Sequence, residues 1–431
     1  MAQKWCFYAL LSAQLLLSVV ANAQPLQTAR PEEVGISSAK AALFKQELTD
    51  RVNKGELPGA VVMVVRNQKI AMHEAIGFRD RLDQSPMQKD SIFRIASMTK
   101  PIISVAVLQL MEQGKLSLED PVSKYLPEFA NVKVGVEKTN DKGQKELALE
   151  APLKKMTLQD LLRHTSGLTY GWDKKSMVDK LYEENQIFNA ELTLEEQIKK
   201  LATLPLKFQP GTTWEYSVST DVLGRVLEVV SGKPLDIHLR EAIFEPLQML
   251  DTQFGSDPSN LSRMAEAQIN PRTDKRYLTL SSGQRPKRFS GGGGLSSTAM
   301  DYAKFCQMIL NHGEFNGKTI LSRKSIELMT ANHLPSNTYF PPNYLYDWGS
   351  AAPIPEAFGT GFGLGFAVRI DSGKSPTPGS VGDLFWMGSS GTSFVIDPKE
   401  KLILILLTQQ PNLLFQYHRL MRQMGYSMLK N

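Results

Sequence analysis

The sequence predicts an α+β fold, in which an antiparallel sheet built from both chain ends is flanked by helices and contains an inserted, mainly helical region. Apolar runs at residues 59–65 and 70–76 predict strands near the start of the chain, and 392–397 and 402–408 predict strands near its end. Helical spacing and helix-capping patterns dominate residues 96–250. Strands at both ends with helices between them indicate one shared sheet.

The first elements predicted are a helix and a hairpin. Residues 37–54 place Phe44, Leu48 and Val52 on one stripe, which is typical of an amphipathic helix. The two apolar runs that follow flank a polar turn at 66–69 and predict a β-hairpin.

The middle of the chain predicts helices and exposed turns. Pro101 opens an apolar helix, since proline fits the first helical turn, where its missing N–H has no partner to lose. Capping boxes begin short helices at Thr157 and Thr193, and a further helix is expected over 220–230. The charged stretch 134–152 predicts an exposed turn or short hairpin.

The last third of the chain predicts a helix over 300–312, two strands and a closing helix over 413–429. The strand at 402–408 is apolar throughout and is therefore expected at the centre of the sheet, covered on both faces.

Two other stretches of this part point to a site. The glycine run 291–294 predicts a tight turn near a site rather than a phosphate loop, because no Gly-Lys-Ser/Thr follows it. Residues 334–362 form either an irregular surface loop or a pocket wall, and they carry the aromatic residues Tyr339, Phe340, Tyr344, Tyr346 and Trp348.

The first 23 residues predict a secretory signal peptide. Lys4 precedes an apolar stretch over 6–20, and Ala21-Asn22-Ala23 is a small-x-small cleavage site; a membrane anchor is the competing interpretation. We expect residues 24–431 to be the folded domain, with its α/β part over about 30–95 and 290–431 and its helical part over about 96–289. The mature protein is then periplasmic or secreted.

Composition excludes several function classes. The net charge of +5 is spread along the chain without a basic run interleaved with aromatics, so nucleic acid is not an expected partner. Metal chemistry lacks a ligand motif, and the mature chain keeps only Cys306, which fits a packing role and allows no intramolecular disulfide. We expect no cofactor, and a small molecule as the partner; the oligomeric state stays open.

The strongest chemical signal is the pair Ser97 and Lys100 at the entrance of the apolar helix. A spacing of three residues puts both side chains on one helix face, about one turn apart. A serine hydroxyl is a weak nucleophile until a base takes its proton, and a buried lysine can be that base because burial disfavours the ammonium form. The helix N-terminus adds N–H groups and partial positive charge. Alone, Ser-x-x-Lys is more typical of a capping serine followed by a surface lysine than of a catalytic pair.

Several stretches in a fixed order around this pair strengthen the interpretation. They are His164-Thr165-Ser166-Gly167-Leu168, Tyr216-Ser217 with Asp221-Val222-Leu223-Gly224, Phe244-Glu245-Pro246-Leu247 with Met249, and Gly391-Thr392 followed by Asp397-Pro398. With these motifs the chain resembles the serine β-lactamase and penicillin-binding protein superfamily, in its class C-like branch. That branch includes family VIII carboxylesterases, D-amino-acid peptidases and acyl transferases. The resemblance begins near residue 35, extends to the C-terminus, and implies a β-lactamase/transpeptidase-like fold.

The resemblance implies a role for each matched residue. Ser97 is the nucleophile that attacks an acyl carbonyl, and Lys100 and Tyr216 share the proton transfer, with the formal base left open. The third family motif falls on Trp386-Met387-Gly388, whose strand edge is expected beside Ser97. The family's oxyanion hole pairs the N–H of the nucleophile with one from this strand, here that of Ser389, while Gly388 allows close backbone approach.

Two departures from the family pattern favour neutral esters. β-Lactamases and cell-wall peptidases usually carry lysine or histidine at the position of Trp386, and asparagine at that of Val218. Those groups hold the substrate carboxylate and the acyl amide, so a penicillin-like substrate loses anchors that contribute about 1–3 kcal/mol each. Tryptophan at this place is similar to family VIII carboxylesterases.

The sequence therefore predicts an exported serine hydrolase that forms an acyl-enzyme on Ser97, as a carboxylesterase or acyltransferase on small esters or amides. One alternative is a β-lactamase, a D-alanyl-D-alanine carboxypeptidase or a D-aminopeptidase. The other is a catalytically inactive penicillin-binding-like protein. A Ser-His-Asp triad is not favoured, because the near match Gly388-Ser389-Ser390-Gly391-Thr392 leads into a strand rather than from a strand into a helix.

Overall fold

The computed structural model describes residues 26–270, 273–276, 285–336 and 359–430. The predicted signal peptide lies outside the described residues, and so do the five aromatic side chains named for the possible pocket wall. No helix in the described ranges is long and apolar enough to cross a membrane.

One large sheet organises the described part of the chain. Its nine strands in chain order are β1 (Gln27–Thr28), β2 (Gly59–Arg66), β3 (Lys69–Asp80), β4 (Ser85–Pro86), β5 (Thr360–Phe362), β6 (Ala367–Arg369), β7 (Leu384–Gly388), β8 (Thr392–Asp397) and β9 (Leu402–Leu407). Across the sheet the order is β1-β3-β2-β9-β8-β7-β6-β5, with β4 paired to β3. The C-terminal strand β9 therefore lies beside the N-terminal strand β2, antiparallel to it, with Leu402 opposite Arg66.

This arrangement confirms the fold class predicted from the sequence, with one correction. The short edge strand β1 runs parallel to β3, so the sheet is mixed at that edge rather than antiparallel throughout. A strand of two residues has no hydrophobic pattern from which its presence or direction could be predicted.

Helices cover the sheet and build the inserted region. They are α1 (Ser38–Asn53), α2 (Thr99–Glu112), α3 (Leu158–Leu162), α4 (Met177–Glu184), α5 (Leu194–Leu201), α6 (Ser219–Ser231), α7 (Leu235–Leu239), α8 (Glu245–Leu247), α9 (Ala299–Leu310), α10 (Arg323–Thr330) and α11 (Leu414–Ser427). Strand β9 is buried along its whole length while both α9 and α11 contact it, as expected for a central apolar strand. Cys306 is fully buried in α9, and this burial raises the pKa of its thiol well above the usual value, which fits a packing role.

Shorter strand pairs form small sheets separate from the large one. The charged stretch forms a hairpin of Val134–Thr139 and Lys145–Glu150. A three-stranded sheet joins Phe93–Arg94 and Gln253–Phe254 to the two sides of Leu295–Ser297. This small sheet brings the segment before Ser97 against the segment after the glycine run, and so it positions the candidate site.

Buried histidines make the fold sensitive to acid. His418, on α11, is fully buried, with its ring centre 5.4 Å from that of Phe385, and neither ring nitrogen has a hydrogen-bond partner among the described residues. Burial, with the nearby Arg422, lowers the pKa of His418 well below its usual value, and burial does the same to the pKa of His164. The folded chain therefore excludes protons that the unfolded chain binds below about pH 6.5.

We expect the free energy of unfolding to fall when the pH drops from 7.5 to 5.5, by about 1.4 kcal/mol for each such histidine. Stability is lost as the pH falls, because only the unfolded state gains the proton. Urea denaturation at both pH values measures this, and His418→Leu should reduce the difference by about 1.4 kcal/mol. An equal pH dependence in the variant and the parent chain would contradict the assignment to His418.

Candidate active site

Ser97 lies at the junction of the small sheet and helix α2. The strand Phe93–Arg94 leads into a tight turn at Ala96–Met98, and α2 begins at Thr99. Ala96 adopts a left-handed conformation with φ of +43°, which is uncommon outside glycine and costs roughly 1 kcal/mol. This strained residue turns the chain sharply, so that Ser97 lines a pocket while its neighbour Met98 is fully buried.

Hydrogen bonds to Leu295 and Tyr302, which come much later in the chain, fix this turn. Ile95 N donates to Leu295 O at 3.0 Å, and Leu295 N donates to Thr99 Oγ1 at 3.2 Å. Tyr302 Oη, from α9, donates to Met98 O at 2.9 Å. The turn that carries Ser97 is thus held on both sides.

Lys100 is fully buried and lies against Ser97. Its Nζ donates to Ser97 Oγ at 3.1 Å, to Tyr170 Oη at 3.1 Å and to Gly292 O at 2.7 Å. An ammonium group has three N–H donors and needs an acceptor for each of them when it is buried. The three acceptors around Nζ match that requirement.

The glycine run supplies one of these acceptors. Asp221 Oδ1 accepts from Gly292 N at 3.2 Å and from Ser290 Oγ at 2.6 Å, which holds the turn in place. A side chain at position 292 would place its Cβ 2.5 Å from Asp221 Oδ2, so only glycine lets the turn approach this carboxylate. The glycine run therefore forms a tight turn at the site, as predicted from its glycines and from the absence of a phosphate-loop motif.

Tyr216 approaches Lys100 with its ring. The Lys100 Nζ lies 4.5 Å from the centre of the Tyr216 ring, a cation–π distance. The Tyr216 hydroxyl oxygen accepts a hydrogen bond from Trp386 Nε1 at 3.3 Å. Its ring also lies 4.9 Å from that of the buried His164.

The end of strand β7 lies beside the nucleophile segment. Ser390 Oγ donates to Arg94 O, and Thr392 Oγ1 donates to Ile95 O at 3.3 Å. A Cβ on Gly388 would collide with the backbone oxygen of Ile95, so glycine is required for this approach. Three residues of this stretch line the same pocket as Ser97, namely Trp386, Met387 and Ser389.

The pocket has a volume of about 560 Å³ and one strongly aromatic wall. The rings of Tyr170 and Trp172 are stacked, with centres 4.5 Å apart and planes at 10°. The Phe188 ring lies 5.7 Å from that of Tyr170, and both Trp172 and Phe188 are more than two-fifths exposed. Flat apolar surface left accessible in a pocket is suited to a hydrophobic part of a substrate.

The two departures from the family pattern have different surroundings. Trp386 borders the pocket and contacts the Tyr216 hydroxyl, so an indole stands where a cation is usual. Val218 is fully buried and does not border the pocket. No asparagine is among the described residues that line the pocket.

Tyr170 and Asp221 were not predicted from the sequence to belong to this cluster, and the glycine run was predicted near a site without Gly292 being identified as an acceptor for Lys100. Asp221 lies within a motif quoted above, and Tyr170 lies close to another. The sequence around Tyr170 does not indicate that its side chain reaches Lys100, 70 residues earlier in the chain. Gly171 lies between Tyr170 and Trp172 and has φ of +79°, a left-handed conformation that favours glycine. A glycine between two aromatic residues was therefore a sequence feature that could have indicated an unusual turn here.

The chain is similar to known proteins over most of its length. The family model for Beta-lactamase matches residues 44–420. Protein Rv1367c of Mycobacterium tuberculosis is 34% identical over 361 residues, which cover 82% of this chain and 86% of that protein. Esterase EstB of Burkholderia gladioli is 32% identical over 390 residues, which cover 85% of this chain and 88% of EstB.

The solved structures lead to the same family. EstCE1, a hydrolase with promiscuous acyltransferase activity, aligns with a TM-score of 0.72 at 26% sequence identity, over 90% of this chain and 99% of that one. The family match spans most of the chain, and the esterase relative is above 30% identity over most of both lengths. The chain therefore belongs to the β-lactamase family, and it is a serine hydrolase.

Proposed function

We propose that this protein is a carboxylesterase or acyltransferase that forms an acyl-enzyme on Ser97 and acts on small, neutral esters or amides. The observation that carries the proposal is the 3.1 Å hydrogen bond from the buried Lys100 Nζ to Ser97 Oγ, at the edge of an aromatic pocket. This bond places the Ser97 hydroxyl in the cluster formed by Lys100, Tyr170 and Tyr216, where a neighbouring base can take its proton as it attacks a carbonyl carbon.

In the proposed reaction, Ser97 Oγ forms a bond to the acyl carbon and gives up its proton. Lys100 Nζ donates to all three of its described acceptors, and this favours Tyr216 as the group that takes the proton. The Tyr216 ring centre lies 4.5 Å from Lys100 Nζ, and the Trp386 N–H donates to the Tyr216 oxygen. The backbone N–H groups of Ser97 and Ser389 are the proposed donors to the oxyanion.

The tetrahedral intermediate then collapses. The carbon–oxygen bond to the alcohol breaks, and the leaving alcohol takes the proton from Tyr216. Water or a second alcohol loses its proton to Tyr216 and attacks the acyl carbon. The bond from that carbon to Ser97 Oγ then breaks, and Ser97 Oγ takes the proton back from Tyr216, which restores the starting enzyme. Attack by water gives hydrolysis, and attack by a second alcohol gives acyl transfer.

The substrate class is inferred from two parts of the pocket, the third family motif and the aromatic wall. Trp386 replaces the cation that would hold a substrate carboxylate, and the exposed faces of Trp172 and Phe188 suit an apolar group. The similarity to esterase EstB and to EstCE1 supports the same choice. Export by a signal peptide cleaved after Ala23 is also part of the proposal, and it rests on the sequence pattern alone.

A substrate panel tests the choice of function. We expect kcat/KM for short nitrophenyl esters to exceed that for nitrocefin by about 100-fold or more, because each missing anchor contributes about 1–3 kcal/mol. D-Alanine amides should turn over as poorly as nitrocefin. Adding an alcohol and measuring the new ester by chromatography distinguishes acyl transfer from hydrolysis.

The Ser97→Ala variant is the control for every substrate. Nitrocefin turnover comparable with ester turnover would favour the β-lactamase or peptidase alternative. No turnover of any substrate by the folded parent protein would favour the inactive penicillin-binding-like alternative.

A further inference from the structure

Two tyrosines border Lys100, and only one of them has an assigned role. Tyr170 Oη accepts a hydrogen bond from Lys100 Nζ at 3.1 Å, while the Tyr216 ring centre lies 4.5 Å from the same atom. The two rings are 5.2 Å apart and are tilted by 54°. The separation of these rings therefore sets the space in which the lysine head group lies.

The residues directly before the two tyrosines are joined to each other. Thr169 Oγ1 is 3.1 Å from Glu215 Oε1 and 2.7 Å from Asp179 Oδ1. Lys207 Nζ completes the group, at 2.9 Å from Asp179 Oδ2 and 3.1 Å from Glu215 Oε1. We call these four residues the Lys207 network.

The Lys207 network is ionic and lies inside the protein. Thr169 and Asp179 are each 1% exposed, and Glu215 is 8% exposed. Burial raises the pKa of Glu215 in spite of the nearby ammonium. Burial alone would lower the pKa of Lys207, but the Glu215 and Asp179 carboxylates raise it, so the lysine stays charged at neutral pH.

A buried ionic group of this kind contributes little net stability, because desolvation offsets most of the Coulomb attraction. Its effect is geometric, since charged hydrogen bonds in a low-dielectric interior hold their partners at fixed distances. Here the fixed partners are the residues one position before Tyr170 and one position before Tyr216. A hydrophobic cluster would fill the same space without fixing that distance.

We propose that the Lys207 network sets the spacing of Tyr170 and Tyr216, and that Tyr170 is a further positioning residue, which holds the Lys100 head group beside Ser97. This inference rests on the proposed function, because it assumes that Ser97 and Lys100 carry out the chemistry. It adds a second tyrosine, which contacts Lys100 Nζ, and a buried ionic group that includes the residue before each tyrosine.

Paired conservative variants test the proposal. Tyr170→Phe keeps the ring and removes the acceptor, and Thr169→Val keeps the volume and the ion pairs but removes the hydroxyl. We expect Tyr170→Phe to lower kcat for a nitrophenyl ester about 10–100-fold, the scale of a hydrogen bond to a charged group. Thr169→Val should lower kcat about 10-fold. In both variants KM should stay within about twofold, and the pH profile of kcat should move.

The two effects should also be coupled. If Thr169 acts through Tyr170, the Thr169→Val change should have a smaller effect on kcat in the Tyr170→Phe background than in the parent chain. A remote variant is the control. Tyr426→Phe removes a phenol hydroxyl from Asp397, and it should change neither kcat nor its pH profile.

Separate results would overturn the inference and the proposed function. Unchanged kcat and pH profile in Tyr170→Phe and Thr169→Val, with an active parent enzyme that depends on Ser97, would refute the inference alone. A parent enzyme whose ester turnover survives Ser97→Ala would refute the proposed function. Should Thr169→Val fail to fold, Lys207→Arg, which keeps the charge, takes its place; unchanged kcat in that variant would equally refute the network's role.

Discussion

Ser97→Ala is expected to lower ester turnover by roughly 10³-fold or more, to the level of the uncatalysed reaction in the same buffer. The reason is that the acyl-enzyme needs an oxygen nucleophile at this position, and Lys100 Nζ contacts that oxygen directly at 3.1 Å. Initial-rate kinetics with a nitrophenyl ester measure the effect. The free energy of unfolding should change by no more than about 1 kcal/mol, since Ser97 is only half-buried and borders the pocket.

Ser389→Ala is the matched control for this change. Ser389 lines the same pocket, but its proposed contribution is a backbone N–H, which alanine retains. It should therefore keep most of the ester turnover. Ester turnover that persists in Ser97→Ala would show that Ser97 is not the nucleophile.

Tyr216→Phe is expected to lower kcat about 10²–10⁴-fold, the usual range for a lost acid–base group. Phenylalanine keeps the ring beside Lys100 and loses only the oxygen that accepts from Trp386 Nε1. Because the ring and its packing remain, the loss should lie in kcat rather than in KM. Steady-state kinetics across the pH range measure both.

The outcome of this change also distinguishes the two candidate bases. A near-normal rate in Tyr216→Phe would move the base role to Lys100, with Tyr170 as the phenol that contacts it. The proposed roles require a large decrease of kcat in Tyr216→Phe and a moderate decrease of kcat in Tyr170→Phe.

The fold was predictable from the sequence because its main elements carry long, regular hydrophobic patterns. The strand β9 is apolar at every position and pairs with β2, whose pattern is equally continuous. The capping residues Thr157 and Thr193 accept hydrogen bonds from Asp160 N and Glu196 N, and helices follow both. Patterns of this length constrain the structure locally, so no knowledge of distant contacts was needed.

Parts of the fold without such a pattern could not be predicted. The edge strand β1 has only two residues, and its parallel direction depends on pairing with β3 more than 40 residues later. The order of strands across the sheet likewise depends on which apolar faces meet after the helical region has folded.

The candidate site was predictable where chemistry fixes a spacing. Ser97 and Lys100 lie one helical turn apart, so the sequence alone brings their side chains together. Tyr170 and the carbonyl of Gly292 reach Lys100 from other parts of the chain. Their contribution depends on the path of the backbone through the glycine turn, which Asp221 holds in place.

The most direct test of the central claim is to identify the residue that an acyl-like reagent modifies. The folded parent protein is incubated with a fluorophosphonate, and intact mass spectrometry with peptide mapping locates the adduct. The account predicts one adduct per chain on the hydroxyl of Ser97, formed rapidly by the parent protein and absent from Ser97→Ala. An adduct on another serine, or ester turnover by a protein that forms no adduct, would contradict it.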